Sequence, residues 1–228
     1  MVEDALRRKL DGVGLHLNLF DLAFVGGNLA AMKQQADWAM GNPGAEDQML
    51  SLESHTEAWS GKLSRARELS KQAVESARPN DEKEAAALWQ ANAAIREALF
   101  GNAGSGREKA ATAIAIAPKS RDADAQAAWA YSFSGDTARA RSLVDDLARR
   151  FPQDTILQRV RLPIIHSQIE MGRNTSEGGI ELLSAVSPYE LGMLTGSAIN
   201  SCLYPVYVRA EAYLKGSPAC RKLSKLLR

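Results

Sequence analysis

Residues 121–151, "RDADAQAAWAYSFSGDTARARSLVDDLARRF", hold two runs of helix formers separated by Ser134-Gly135-Asp136 and closed by Pro152. Apolar residues return at three- and four-residue spacing on both sides of the glycine, the signature of amphipathic helices. Small Ala128 stands seven residues before Gly135, Tyr131 four before it, and Ala140 five after it. A small residue lets two antiparallel helices approach closely, and a tyrosine fills the gap between neighbouring units. Glycine permits the tight turn, and proline ends the second helix. The stretch predicts one helix–turn–helix unit.

The same punctuation recurs along the chain. "GGN" at 26–28, "GNPG" at 41–44, Gly61, "RPND" at 78–81 and "GNAGSG" at 101–106 come before the unit. "GR" at 172–173 and Pro188 come after it. Gly27 to Gly61, Gly101 to Gly135 and Pro118 to Pro152 are each 34 residues, whereas Gly61 to Gly101 is 40 and Gly135 to Gly172 is 37. A period near 34 with two helices per unit signals a helical solenoid. No sustained period-two alternation appears. The expectation is an all-α chain of about a dozen short helices in five to six pairs. Residues 1–228 are read as a single repeat domain whose last repeat is incomplete, with an atypical basic tail at 215–228.

Composition narrows the function. The 28 basic and 27 acidic residues nearly cancel, so no electrostatic footprint for nucleic acid is present. Only Cys202 and Cys220 occur, too few for a disulfide framework and matching no zinc spacing. Asp11, His16, Asn18 and Asp21 interrupt the apolar amino-terminal stretch, which argues against a signal peptide or a membrane span. A cytoplasmic location is expected, or an extracytoplasmic one if a parent protein supplies a preceding span.

The chain resembles a tetratricopeptide-repeat array, and more closely the repeat regions that follow the kinase domain in acidobacterial serine/threonine protein kinases. The likeness is carried by "LAFVGGNLAAMKQQADWAMGNPGAEDQML", "RARELSKQAVESA", "KEAAALWQANAAIREALFGNA", "LARRFPQDTILQRVRLPII", "SPYELG" and "LYPVYVRAEAYL", and covers nearly all of residues 10–214. It implies an α-α superhelix serving as a non-catalytic interaction or sensor portion of a larger signalling protein. No glycine-rich strand loop, H-R-D or D-F-G occurs in the chain.

Residues 101–108, "GNAGSGRE", come close to the phosphate loop G-x-x-x-x-G-K-[ST]. Arg107 replaces its lysine, Glu108 takes the hydroxyl position, and the preceding segment is helical in pattern. An interhelix turn is the better reading, with Ser105 as N-cap and Glu108 as its capping-box partner. His16, His55 and His166 fall in different repeats, so no metal, catalytic or cofactor site is expected. The carboxylates of Asp122, Asp124, Asp145 and Asp146 read as solvated.

The first helix of each unit in such solenoids faces a groove at positions about two, three, six, ten and thirteen residues before the turn glycine. Counting from Gly26 gives Phe24, Phe20 and His16, with a shift of one residue left open for this first repeat; from Gly61, Trp59, His55, Ser51 and Gln48 follow. Gly135 gives Phe133, Trp129 and Asp122, and Gly172 gives His166 and Arg159. Aromatic side chains with interspersed hydrogen-bonding groups suit a peptide partner. Self-association through an uncapped last repeat is the alternative.

Overall fold

A computed structural model describes residues 7–8, 11–78, 82–172, 176–189 and 204–216. Cys202, Cys220 and most of the basic tail lie outside them. The described residues form α-helices and no strand. In chain order these are α1 (Val13–Val25), α2 (Leu29–Ala39), α3 (Glu46–Trp59), α4 (Leu63–Ala77), α5 (Lys83–Leu99) and α6 (Ala103–Ile116). They continue with α7 (Arg121–Phe133), α8 (Thr137–Arg150), α9 (Leu162–Gly172), α10 (Ser176–Ser184) and α11 (Tyr204–Gly216). A π-turn at Leu157–Arg161 leads into α9, and a 3-10 turn at Ser187–Tyr189 follows α10. Helices pack on their sequential neighbours, as in an α-α superhelix. Two compact units divide the chain, residues 1–90 and 91–228.

The helix-pair beat has a backbone cause. Gly27, Gly61, Gly101 and Gly135 take φ of +67°, +78°, +81° and +76°, the left-handed region that side chains disfavour. In each turn the amide after the glycine reaches back five residues: Asn28 to the Ala23 carbonyl, Lys62 to Glu57, Asn102 to Glu97 and Asp136 to Tyr131, all at 2.8–2.9 Å. This is the glycine-dependent bond that closes a helix carboxyl end, made four times over. The side chains of Asn28 and Asp136 then cap α2 and α8 by accepting from Ala31 N–H and Arg139 N–H. Gly172, by contrast, ends α9 without a left-handed φ.

Two local expectations are corrected. Helix α6 begins at Ala103 with Asn102 as its N-cap, so Ser105 lies inside the first turn and no Ser105–Glu108 capping box forms. Gly104 and Gly106 are helical residues, not part of a loop after a strand. The aspartates of α7 are not simply solvated either. Asp124, 3% exposed, is bonded by the Arg150 guanidinium of α8, and Asp122 by Arg121 and Arg161. Burial alone would raise the Asp122 pKa, but hydrogen bonds from Arg121 and Arg161 outweigh it and hold the carboxyl below its ordinary value. Burial wins at Asp124, whose pKa is raised despite Arg150.

Gly106 is set by packing. A Cβ at this position would stand 2.7 Å from Ser134 Oγ, 3.2 Å from the Ala94 carbonyl oxygen and 3.3 Å from Ala98 Cβ. It occupies the position five after the turn glycine that Ala66 and Ala140 fill in their own pairs, both at 0% exposure. Helix α6 lies so close to α5 that even alanine would be crowded. In residues 1–90 the core gathers Phe20, Ala39, Ala45, Met49 and Leu52. In residues 91–228 it is built around Val144, Leu147, Leu157, Ile165, Ile169 and Leu183.

Candidate functional site

The expected groove residues separate into exposed and buried sets. Because Gly27 rather than Gly26 is left-handed, the register of α1 moves by one residue. Phe20 then stands seven before the turn, where Ser54, Ala94 and Ala128 stand in the later pairs, and like them it is buried, at 1% exposure. His16 is 5% exposed. Its ring stacks on Trp38 at 3.5 Å between centroids, with Nδ1 2.7 Å from Gln35 Oε1 and Nε2 3.2 Å from Asp11 Oδ2. Both side chains tie α1 to α2 and neither offers a free surface.

The expected residues on helix α3 range from exposed to buried. Trp59 is 79% exposed and meets the half-buried Phe24 edge-on, with ring centroids 5.4 Å apart and planes at 88°. His55, one turn earlier on the same face, is half-buried, as is Gln48, whose amide donates to the Gly44 carbonyl. Ser51 is buried at 4%.

In residues 91–228, Trp129 and Phe133 stack at 6.0 Å with planes 20° apart. Trp129 is only 8% exposed and packs in the core, so its truncation would cost stability as well as any contact. Phe133 lies 6.4 Å from Tyr207 of α11, which counting from turn glycines did not find. Tyr207 is 46% exposed, and its hydroxyl donates to Glu211 Oε1 at 3.3 Å. Burial and the Glu211 carboxylate push the phenol pKa up. Arg159 is exposed on the π-turn. His166 is half-buried; burial, then Arg141, lower its pKa against opposing pulls from Asp145 and Glu170. The imidazole is therefore neutral at pH 7.

A second surface was not anticipated. Four residues before its turn glycine, α7 has Tyr131, 3% exposed; eight before, it has Ala127, fully buried. The same positions of α3 hold Glu57 and Glu53, both half-buried. Glu97, four before Gly101, is by contrast buried at 1%; beside Glu53 and Glu57 a cleft of about 370 Å³ opens between α2, α3 and α4. Phe20, Met49 and Leu69 form its floor, with Met32 and Leu50 on its walls. Burial is the main cause of a raised Glu53 pKa; Arg65 opposes it, while Glu57 and Asp37 add to it. Glu57 pairs with Lys62 at 3.1 Å.

Among the described residues no group of three or more His, Cys, Asp or Glu is placed to hold a metal ion, and no helix is long and apolar enough to cross a membrane. Comparisons with family models, with curated proteins and with solved structures returned no match for the chain.

Proposed function

We propose that the chain is a non-catalytic, tetratricopeptide-like scaffold that binds a peptide segment of a partner protein through aromatic side chains on the first helices of its repeats. The observation that carries this reading is Trp59: a large indole left 79% exposed, braced edge-on by Phe24, with His55 one turn away on the same helix. Tryptophan is among the residues that dominate binding energy at interfaces, because a rigid ring removes much apolar area from water at little entropic cost. Helices locked by four left-handed glycine turns keep that surface preformed, which lowers the ordering cost of association. The resemblance of residues 10–214 to kinase-associated repeat regions supports a place in a bacterial serine/threonine kinase or signalling regulator.

The test is a selection of random peptides displayed on phage against the folded chain, followed by titration of enriched peptides. Loss of an interface tryptophan costs about 2 kcal/mol or more, roughly thirtyfold in affinity. Trp59→Ala should weaken the enriched peptides by that factor at unchanged helical circular dichroism. Equal binding by Trp59→Ala, or no enrichment at all, would refute the proposal. Self-association is the second reading, favoured by Val25 and Leu22 at 84% and 68% exposure. A strict monomer by light scattering at high concentration would exclude it.

A further inference from the structure

We propose that the cleft between α2, α3 and α4 is a docking site for a cationic amphipathic segment of a partner protein, one that presents apolar side chains flanked by lysine or arginine. This surface is distinct from the Trp59 surface. At 100° per residue, Glu53 and Glu57 lie on the flank of α3 opposite to Gln48, Ser51 and His55.

The apolar half of the complementarity is visible at the rim. Leu29 and Met40, at the two ends of α2, line the cleft at 76% and 69% exposure among the described residues. Below them, Met32 on the wall and Met49 on the floor are flexible, polarisable side chains that re-pack around different apolar groups. A volume of about 370 Å³ lies at the small end of ligand clefts, which run from roughly 300 to 1,000 Å³. That space suits a few side chains of a docked segment rather than an enclosed cofactor.

Charge selects the segment. Four carboxylates line the cleft (Asp37, Glu46, Glu53, Glu57) against two cations (Lys33, Arg65), a local balance of minus two in a chain whose net charge is +1. Lys33 is already held by Asp37 at 2.6 Å. Glu57 is held by Lys62 at 3.1 Å. Glu53 sits half-buried beside Glu57 and Asp37 with Arg65 opposing them, so an incoming ammonium or guanidinium group adds to Arg65 in relieving repulsion among the carboxylates. An acidic peptide, a phosphate or an anionic lipid surface meets charge of its own sign and is repelled.

The chain of residues 1–228 provides the test, with a synthetic four-turn helical peptide of leucine and lysine as probe and the same peptide with glutamate for lysine as control. Fluorescence anisotropy should show binding of the lysine peptide only, and hydrogen exchange should slow within residues 29–57. The double variant Leu29→Ser/Met40→Ser changes two exposed positions without changing charge and keeps the fold; it should weaken binding at least about tenfold, as should Glu53→Lys. Trp59→Ala should leave this affinity unchanged, which keeps the result separate from the proposed peptide surface. Four results would each overturn the proposal: no binding to the wild-type chain, equal binding of the glutamate peptide, protection confined to segments outside α2–α4, or full affinity in the Glu53→Lys chain. Equal protection by calcium or magnesium chloride alone would also overturn it, by showing a cation site.

Discussion

Gly104 and Gly106 stand two residues apart in α6 and should respond oppositely to the same substitution. Alanine at a compatible helical site stabilises by about 0.4–1 kcal/mol, largely by restricting the unfolded chain. Nothing lies within 4 Å of a Cβ at Gly104, so Gly104→Ala should realise that gain. At Gly106 the new methyl group meets Ser134 Oγ at 2.7 Å, the Ala94 carbonyl oxygen at 3.2 Å and Ala98 Cβ at 3.3 Å. Overpacking of this kind costs about 1–3 kcal/mol, so Gly106→Ala should come out about 1 kcal/mol less stable than wild type. The Ser134 hydroxyl is the movable obstacle. It is buried without a hydrogen-bond partner among the described residues, so its removal alone should be nearly neutral. Gly106→Ala/Ser134→Ala should therefore recover part of the loss, while the helix-backbone contact to Ala94 keeps the recovery incomplete. Urea melts followed by circular dichroism give the comparison, with expected midpoint shifts of opposite sign for the two single variants. If Gly106→Ala stabilised as much as Gly104→Ala, the close approach of α5 and α6 would be refuted.

Three further outcomes are expected. Gly135→Ala forces a side chain into φ of +76° and should cost about 1–2 kcal/mol in the same melts, whereas Gly172→Ala, at a helix end without left-handed φ, should cost much less. Trp89→Phe removes the indole N–H that donates to Asp47 Oδ2 at 2.7 Å. Asp47 is 2% exposed, so losing that bond should cost about 1–3 kcal/mol. His166 has its folded pKa lowered by burial and Arg141, against Asp145 and Glu170, so the unfolded chain binds more protons below the ordinary value of 6.5. Its contribution is complete above pH 6.5 and falls away as pH drops below that value. His166→Gln should flatten that part of the stability–pH profile, and an unchanged slope would count against the assignment.

The turns were legible in the sequence because their chemistry is local. A glycine takes the left-handed position that closes a helix, and the spacing of Gly61, Gly101 and Gly135 could be read directly. "GGN" was ambiguous for the same reason, since either glycine can take that conformation. The bond from Asn28 N–H to the Ala23 carbonyl selects Gly27. That single-residue shift buries Phe20 where spacing had placed it on a groove.

What failed was long-range. Ser105 and Glu108 have capping-box spacing, but the turn at Gly101-Asn102 starts the helix before Ser105. The aspartates of α7 read as solvated because Arg150 and Arg161 lie 26 and 39 residues further along and meet them only in the folded chain. Gly106 has no explanation in the sequence, because Ala94, Ala98 and Ser134 crowd it only in the folded chain. The cleft had a signal that was present but unread. Aligning the repeats on their turn glycines puts Glu57 in the position of Tyr131 and Glu53 in that of Ala127; both line the cleft, although Glu97 at the first of these positions is buried.

Recognition of a peptide through Trp59 can be observed at the indole itself. The chain has four tryptophans, at 38, 59, 89 and 129, and each indole N–H gives its own resonance in a nitrogen–proton correlation spectrum. Titration with a peptide from the phage selection should shift the Trp59 indole in a saturable way while Trp38 and Trp89 hold still, since Trp38 stacks under His16 and Trp89 is bonded to Asp47. A spectrum in which the Trp59 signal never moves while the peptide is bound would contradict the assignment of this surface to peptide binding.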